Sequence, residues 1–294
     1  MIDTNGSAGD FSGRVIVVTG ANSGIGLAAA REFARSGARV GLVGRDPGRL
    51  ESALSAVREV AHPDAPPEAF RADFCVLDDV RKLADSLATT YPSIDVLCNN
   101  AGGMLPSRRS TVDGYEETIQ ANHLAPFLLT NLLRTKLRGG RVVNTASEAH
   151  RYGNLDADDL NSSGRYLGMS VYGASKQANI LFAAEAARRW PGILSFSYHP
   201  GIVRSRFGRD SRFIKTGYRI APFLSTPEQG ADTMVFLAGA PASTVENGSY
   251  YAGRKLRRPR ARAMDPALAA RLWEVSAAAL GLAEEASPEE KPVA

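Results

Sequence analysis

The chain has 294 residues, of which 44% are hydrophobic and 22% charged, which is enough for one large buried core at the upper end of single α/β domains. No stretch approaches the ~18 apolar residues of a membrane span, and residues 1–12 lack the basic start and apolar run of a secretory signal, so we expect a cytoplasmic protein without a span. The net charge of +4 excludes a strongly basic or acidic chain.

Short apolar strands alternate with helical segments, which predicts βαβ units, a parallel sheet and a single domain over 1–283. The strands are predicted at 14–19, 39–44, 69–73, 94–99, 141–146, 193–199 and 249–252. The helices are predicted at about 25–35, 47–60, 78–90, 111–137, 170–189, from 226 onward and at 266–280. The first helix ends at Ser36-Gly37, the fourth is broken near Pro126, and the acidic tail 284–294 is predicted to be disordered.

Three glycines, Gly20, Gly24 and Gly26, lie where the first strand meets the first helix, in TGANSGIG (19–26). Glycines at such a junction let the turn close and let the backbone approach a pyrophosphate, and the helix N-terminus attracts its charge. An ordinary glycine-rich turn is the alternative. The strand before the turn and the helix after it favour a dinucleotide site.

Tyr172 and Lys176 lie four positions apart in VYGASK (171–176), which places them on one face of a helix. A lysine ammonium beside a phenol favours the phenolate and lowers a pKa that is normally near 10. The phenol can then act as a general acid or base near neutral pH. A structural pair on an exposed helix face is the alternative for this spacing alone.

Together these motifs resemble the short-chain dehydrogenase/reductase family, whose fingerprint is Thr-Gly-x-x-x-Gly-x-Gly. The resemblance covers residues 14 to about 280. Its further landmarks, in order, are NNAG (99–102), Asn122, Ser147, Tyr172 with Lys176, and Pro200-Gly201. It implies one doubly wound Rossmann domain with a seven-stranded, mostly parallel sheet, ordered 3-2-1-4-5-6-7, with helices on both faces.

The resemblance implies a catalytic role for four residues. Tyr172 exchanges the proton with the substrate oxygen, and Lys176 lowers its pKa and binds the nicotinamide ribose. Ser147 hydrogen-bonds the substrate oxygen, and Asn122 holds the helix geometry and a water that leads from Lys176 to solvent. The structural alternatives are a helix cap for Ser147, a turn residue for Asn122 and a core-edge residue for Tyr172.

The end of the second strand predicts the cofactor. Gly44 and Arg45 stand where a carboxylate would bind the ribose of NAD, and a guanidinium can grip a 2′-phosphate. We therefore expect NADP (NADPH), although Arg45 could instead pair with Asp46. The residues that the resemblance assigns to the cofactor are Gly20, Asn22, Ser23, Gly24, Ile25, Gly26, Arg45, Asp73, Phe74, Asn100, Ala101, Gly102, Tyr172, Lys176, Pro200, Gly201, Val203 and Ser205.

Asp73, Asn99 and Ser205 have further interpretations. Asp73 matches the position that binds the adenine amino group, with helix capping as its alternative. Asn99 fits the asparagine that stabilises the sheet in the family. Ser205 stands where the family usually has threonine and keeps the hydroxyl.

Tyr172 lies 25 positions after Ser147, about twice the commoner family spacing, and this resembles the branch that contains retinol dehydrogenases. The substrate loops are predicted at about 103–110, 148–170 and 202–225. Their apolar residues favour a moderately bulky, hydrophobic carbonyl or alcohol; they are Met104, Leu105, Tyr166, Leu167, Met169, Phe207, Phe213 and Phe223.

The remaining features leave several alternatives open. Basic runs lie at 204–219 and 254–262; solvated surface is favoured for both, a carrier-bound anionic substrate is a hypothesis for the first, and no nucleic-acid partner is predicted. Cys75 and Cys98 are predicted to be buried free thiols, and no metal site is predicted. A non-catalytic NADP-binding sensor or scaffold is the rival function, and a homo-oligomer stays open.

Overall fold

The structure is a computed structural model that describes residues 9–203 and 225–282. The tail 284–294 and most of the predicted loop 202–225, including Ser205, lie outside the described residues. No helix within the described ranges is long and apolar enough to cross a membrane.

The described strands form one eight-stranded sheet. They are β1 Val15–Thr19, β2 Arg39–Gly44, β3 Glu68–Arg71, β4 Val96–Asn99, β5 Arg141–Thr145, β6 Leu194–His199, β7 Tyr250–Ala252 and β8 Lys255–Arg257. Their order is β3-β2-β1-β4-β5-β6-β7-β8. All pairs from β3 to β7 are parallel, which confirms the doubly wound fold and the predicted order of its first seven strands.

The eighth strand was not predicted; it lies within the basic run 254–262, and its exposed residues agree with the interpretation of that run as solvated surface. Ala252 pairs with Lys255 across an antiparallel ladder, so Gly253 and Arg254 form the two-residue turn of a hairpin. Both have positive φ, 57° and 59°, as a type I′ turn requires. Arg254 is not one of the residues that usually occupy this turn, so the turn is hard to recognise from the sequence. The strand itself is exposed and basic, which is unlike the apolar strands of the rest of the sheet.

The helices flank the sheet on both faces. They are α1 Gly24–Arg35, α2 Pro47–Arg58, α3 Leu77–Thr90, α4 Glu117–Ile119, α5 Ala125–Leu132, α6 Gly168–Arg189, α7 Pro227–Gly239 and α8 Pro266–Ala279. One core layer packs α3, α5, α6 and α8 on the sheet, and the other packs α1, α2 and α7. Val17 and Val18 on β1 belong to opposite layers, because neighbouring strand residues point to opposite faces.

The predicted helix 111–137 is shorter than expected and consists of three consecutive helical segments. Residues 111–116 are not helical, and a π-helical turn, Gln120–Leu124, separates α4 from α5. Pro126 lies in the first turn of α5, where its missing N–H is tolerated. The irregularity therefore precedes the proline and contains Asn122, and π-helical turns of this kind are frequent at functional sites.

The carboxyl ends of β1 and β4 mark the point where the strand order reverses. From β1 the chain winds outward to β2 and β3, whereas β4 pairs with the other side of β1 and leads toward β7. Ligands of doubly wound sheets bind in the crevice at such a point. The motifs of the N-terminal half and those of the α6 region meet at this edge of the sheet.

Candidate active site

The glycine-rich turn after β1 is packed backbone to backbone. Gly20 has a φ of 67°, which favours glycine. A Cβ at Gly26 would overlap the carbonyl oxygen of Gly20 and come within 2.7 Å of Asn100 Nδ2. The turn therefore needs glycine at both positions to bring α1 against β1, and the α1 N-terminus has no acidic residue in its first turn. This leaves its amides to attract an anion.

Asn100 and Ala101 are tied to the end of β1. Asn100 Nδ2 donates to Thr19 O at 2.9 Å, and the backbone amides of Asn100 and Ala101 donate to Thr19 Oγ1 at 2.9 and 3.0 Å. Behind them, Asn99 Nδ2 donates to Thr130 Oγ1 and to Asn144 Oδ1, each at 2.9 Å. Asn99 thus bridges β4, β5 and α5, as its predicted role in stabilising the sheet requires.

Arg45 and Asp73 lie together beyond the ends of β2 and β3. Arg45 Nη1 is 3.6 Å from Asp73 Oδ2, and the Arg45 side chain is 66% exposed. Asp46 instead caps α2 by accepting from the Arg49 amide at 2.8 Å, so the alternative pairing of Arg45 with Asp46 is wrong. Asp73 accepts from the Cys75 amide, whereas the N-cap of α3 is Val76. Capping by Asp73 is therefore wrong as well.

Three more predicted cofactor residues line the same end of the cleft. Asn22 lies against Gly44, where a Cβ would come within 3.2 Å of Asn22 Cβ. Ser23 is the N-cap of α1, and its side chain makes no capping hydrogen bond. Phe74 is buried behind Asp73.

The loop after β6 meets the glycine-rich turn. A Cβ at Gly230 of α7 would come within 2.6 Å of Val203 Cγ2 and 3.0 Å of Ile25 Cγ1, so Val203 and Ile25 share one contact surface. Gly201 follows Pro200 with a φ of 84°. The loop after β6 is therefore packed close to the start of α1.

Lys176 and Tyr172 are both buried on α6, at the end of β5. Lys176 Nζ donates to Thr145 O at 2.9 Å and lies 5.5 Å from the centroid of the Tyr172 ring. Burial lowers the pKa of Lys176 to about 8. The ammonium is thus charged at neutral pH, close to the phenol and poorly solvated, where its field acts strongly on a neighbouring proton.

Asn122 connects the π-helical turn to the cleft. Its Oδ1 accepts from the Gly103 amide at 2.8 Å, and its Nδ2 lies 2.9 Å from both Gly103 O and Ser175 Oγ. Ser175 Oγ in turn donates to Tyr172 O at 2.7 Å. Asn122 therefore fixes the loop after β4 against α6 beside the two central residues.

We expect replacement of Gly102 by Ala to disrupt this arrangement, whereas replacement of its neighbour Gly103 should be tolerated. A Cβ at Gly102 would lie 2.5 Å from Asn122 Oδ1 and 3.7 Å from Lys176 Nζ, while a Cβ at Gly103 meets nothing within 4 Å. Asn122 cannot yield, because Gly103 holds its amide from two sides. We expect dinucleotide affinity and turnover to fall at least about 10-fold in Gly102→Ala, measured by fluorescence titration and initial rates. Equal behaviour of the two variants would contradict this geometry.

Ser147 follows β5 and begins a 3-10 turn, Glu148–Arg151. Its hydroxyl accepts from the Ala149 amide at 3.2 Å, so the predicted alternative of a helix cap is correct for a 3-10 turn. Capping uses a lone pair of the oxygen and leaves the O–H group to donate to a substrate. The cap and the proposed catalytic role are therefore compatible.

The predicted substrate loops 103–110 and 148–170 contact each other. A Cβ at Gly168 would overlap Leu105 O, and the Tyr166 hydroxyl lies 3.1 Å from Glu116 Oε1 and 3.4 Å from Leu105 O. Leu167 and Met169 are exposed at the start of α6, within two turns of Tyr172. Phe207, Phe213 and Phe223 lie outside the described residues.

Several contacts that build the site were not predicted from the sequence. Thr19 holds the loop after β4, Thr145 O binds Lys176, and Ser175 links Asn122 to α6. His150 carries two further hydrogen bonds beside Ser147. Thr19 and Ser175 belong to motifs singled out above, whereas nothing in the sequence points to a backbone carbonyl. Among the described residues, no group of three His, Cys, Asp or Glu side chains could hold a metal ion.

Comparison with known proteins identifies the family. The family described as "short chain dehydrogenase" matches residues 14–212. A Streptomyces protein named "Putative daunorubicin C-13 ketoreductase DnrU" is 53% identical over 274 residues, which are 93% of this chain and 94% of the relative. Human retinol dehydrogenase 14 is 36% identical over 299 residues, which are 94% of this chain and 89% of the relative.

A solved structure agrees with these relatives. A short chain dehydrogenase from Burkholderia cenocepacia, in complex with NADP, superposes with a TM-score of 0.67 at 25% identity, covering 83% of this chain and 97% of the other. The family match, the relatives and the doubly wound sheet agree. The chain belongs to the short-chain dehydrogenase family of nucleotide-binding oxidoreductases and resembles its retinol dehydrogenase-like branch.

Proposed function

We propose that the protein is an NADP(H)-dependent oxidoreductase that interconverts a carbonyl and an alcohol on a moderately bulky hydrophobic substrate. The observation that carries the proposal is the buried Lys176 ammonium, 5.5 Å from the ring of Tyr172 at the mouth of a cleft suited to a dinucleotide. Glycine at Gly20, Gly26 and Gly102 supports this, because a Cβ at each position would collide with neighbouring protein atoms and prevent the close packing of the turn and the loop after β4.

In the reductive direction Tyr172 donates its phenolic proton to the substrate oxygen. Ser147 donates a hydrogen bond to the same oxygen and stabilises the charge that develops on it. Bound NADPH supplies the hydride. Lys176 keeps the phenol acidic through its charge, and in the oxidative direction the same phenolate accepts the proton from the alcohol.

Lys176 and Asn122 support the return of a proton to Tyr172. The backbone of Gly102 lies near both side chains, since a Cβ there would approach both Asn122 Oδ1 and Lys176 Nζ. Asn122 fixes the position of this backbone through its two hydrogen bonds to Gly103. We infer that protons reach the phenol along this side of α6, as the role proposed for Asn122 requires.

Arg45 is proposed to select NADP(H), and we expect Arg45→Gln to weaken NADPH binding about 10- to 100-fold with little change for NADH. The range corresponds to the loss of a charge-assisted hydrogen bond to the 2′-phosphate. Fluorescence titration of both cofactors measures it. Arg49→Gln is the matched control, because Arg49 contributes its backbone amide to Asp46 in the first turn of α2. Equal affinity of the wild type for NADH and NADPH would contradict the proposed selectivity.

The substrate is proposed to be a ketone on a bulky hydrophobic molecule. Leu105, Tyr166, Leu167 and Met169 form an apolar rim near Tyr172, and the 53% identical relative carries ketoreductase in its name. A carrier-bound substrate, held by the basic run 204–219, stays a prediction because that run lies outside the described residues. The cytoplasmic location and the homo-oligomer also stay predictions.

The proposal is tested by NADPH oxidation across a panel of aldehydes, ketones including daunorubicin, quinones and thioester-bound ketones. We expect turnover with at least one bulky ketone, and a loss of about 100-fold or more in Ser147→Ala, since removing one oxyanion donor has an effect of this size. NADPH affinity should be retained in that variant. Tight NADPH binding without turnover in either direction would favour the non-catalytic sensor instead.

A further inference from the structure

The segment that follows Ser147 is pressed against α6 next to Tyr172. A Cβ at Gly173 would lie 2.5 Å from Ala149 O and 2.6 Å from Gly153 N, and a Cβ at Gly153 would overlap the backbone of Gly173. Leu155 N also donates to Gln177 Oε1 at 3.1 Å. Because Gly173 directly follows Tyr172, the packing of this segment against α6 sets the distance between Ser147 and Tyr172.

His150 links the Ser147 backbone to the C-terminal part of the chain. The imidazole is fully buried; Nδ1 lies 2.8 Å from Ser147 O, and Nε2 lies 3.1 Å from the Arg260 amide. The Arg260 N–H is a donor, so Nε2 accepts and Nδ1 carries the proton that is donated to Ser147 O. Both ring nitrogens are thus used to join two backbone groups 113 positions apart.

Two arginines of the run 254–262 hold the same segment by its carbonyl groups. Arg260 Nη1 donates to Arg151 O at 3.0 Å and to Gly153 O at 3.4 Å, and Arg262 Nη2 donates to Leu155 O at 2.7 Å. We name residues 260–262 the arginine strap. Next to the strap, Ala263 is buried with Ala146, Ile180 and Tyr250, which anchors it on β5, α6 and β7.

A second contact fixes the serine turn from β7. Tyr250 donates to Glu148 Oε1 at 2.9 Å, and Arg151 Nε donates to Glu148 Oε2 at 2.6 Å. Glu148, the residue after Ser147, is therefore held in place by both contacts. These contacts hold the backbone on the C-terminal side of Ser147.

We propose that His150, braced by the arginine strap, is a positioning residue that aims the Ser147 hydroxyl at the substrate oxygen shared with Tyr172. The proposal rests on the proposed function of Ser147. It assigns a role to part of the basic run at 254–262. His150 touches neither substrate nor cofactor; it acts through the carbonyl of Ser147.

Three variants of His150 test which hydrogen bond matters. His150→Asn retains a donor near the position of Nδ1, His150→Gln places its amide near Nε2, and His150→Leu removes both bonds. We expect kcat to fall about 10- to 100-fold in the Leu and Gln variants, to recover at least partly in the Asn variant, and the NADPH Kd to stay within about 2-fold. A Gln variant as active as the wild type, or a Leu variant with unchanged kcat, would overturn the proposal.

A double-mutant cycle with Ser147→Ala separates positioning from general loss of structure. If His150 acts through the serine hydroxyl, His150→Leu should lower kcat in the wild-type background and hardly at all in the Ser147→Ala background. An equal fold-loss in both backgrounds would show that His150 does not act through Ser147, and would contradict the proposal.

Amide hydrogen exchange gives a readout that needs no substrate. In the double variant Arg260→Gln/Arg262→Gln, we expect exchange of the peptide 148–155 to increase about 10-fold, while Arg257→Gln on the exposed strand β8 leaves it unchanged. Unchanged exchange in the double variant would overturn the bracing role of the strap. An inactive wild type with accelerated exchange in the double variant would instead refute the proposed function and the catalytic purpose of the positioning.

Discussion

Replacement of Lys176 by Met is expected to make the protein more stable and at least about 100-fold less active. The buried ammonium has its pKa lowered from 10.5 to about 8, so burial of its charge opposes folding by about 3 kcal/mol at neutral pH. Loss of the hydrogen bond to Thr145 O offsets about 1 kcal/mol of the gain. The carbonyl stays satisfied, because Asn179 Nδ2 donates to it at 3.1 Å.

The stability difference between Lys176→Met and the wild type has a defined pH dependence. Below pH 8 the lysine is protonated in both folded and unfolded states, so the full cost of burying the charge is present. Between pH 8 and 10.5 the folded state releases its proton while the unfolded state keeps it, so wild-type stability rises with pH. The advantage of the variant should therefore shrink over this window.

Urea unfolding at pH 7 and pH 10, with turnover at pH 7, measures both effects. Lys136→Met is the matched control, because Lys136 Nζ also donates to a backbone carbonyl, Tyr91 O, at 3.2 Å. Lys136 O accepts from the Ile94 amide just before β4, at the edge of the sheet opposite the site. The control should retain turnover. A Lys176→Met protein that is less stable than the wild type, or that retains turnover, would contradict the assignment.

Replacement of Tyr172 by Phe is expected to lower kcat about 100- to 10,000-fold, the range that a positioned proton donor contributes. The ring and its packing on α6 are retained, so we expect the NADPH Kd to change by less than about 2-fold and the free energy of unfolding to change by about 1 kcal/mol or less. Saturating-substrate rates, titration and urea unfolding measure these three quantities.

The matched control for this variant is Tyr166→Phe, on the neighbouring substrate loop. Tyr166 bonds Glu116 and Leu105, and burial raises the pKa of its phenol to about 12, which makes it a poor proton donor at neutral pH. We expect a change in KM and at most a few-fold change in kcat. Similar losses of kcat in both variants would remove the special role of Tyr172.

Much of the fold was predictable because its signals are local. Apolar runs bounded by glycine or proline predicted the last helix at 266–280, and α8 is Pro266–Ala279. The glycine-rich turn and the ends of β4 and β5 could be placed beside each other because parallel strands end at the same edge. The π-helical turn around Asn122 was missed, since its hydrogen bonding depends on the packing of α5 and α6.

The partners of the site residues were less predictable, because most are distant in sequence or are backbone groups. Arg45 pairs with Asp73, beyond the end of β3, rather than with its neighbour Asp46, which caps α2. The run 254–262 was predicted to be solvated surface because arginine is common on protein surfaces. Arg260 and Arg262 instead donate to carbonyl groups of a segment more than 100 positions earlier, and nothing local in the sequence indicates such partners.

A single-turnover experiment measures whether Tyr172 supplies a proton as bound NADPH is consumed. Wild-type protein loaded with one equivalent of NADPH is mixed with an excess of a bulky ketone from the panel, and absorbance at the NADPH band and alcohol formation are followed together. We expect one alcohol formed per NADPH consumed, at a rate that falls at least about 100-fold in Tyr172→Phe with NADPH still bound. NADPH that stays bound and unoxidised in the wild type with every carbonyl tested, while the alcohols and NADP are equally inert, would contradict this expectation.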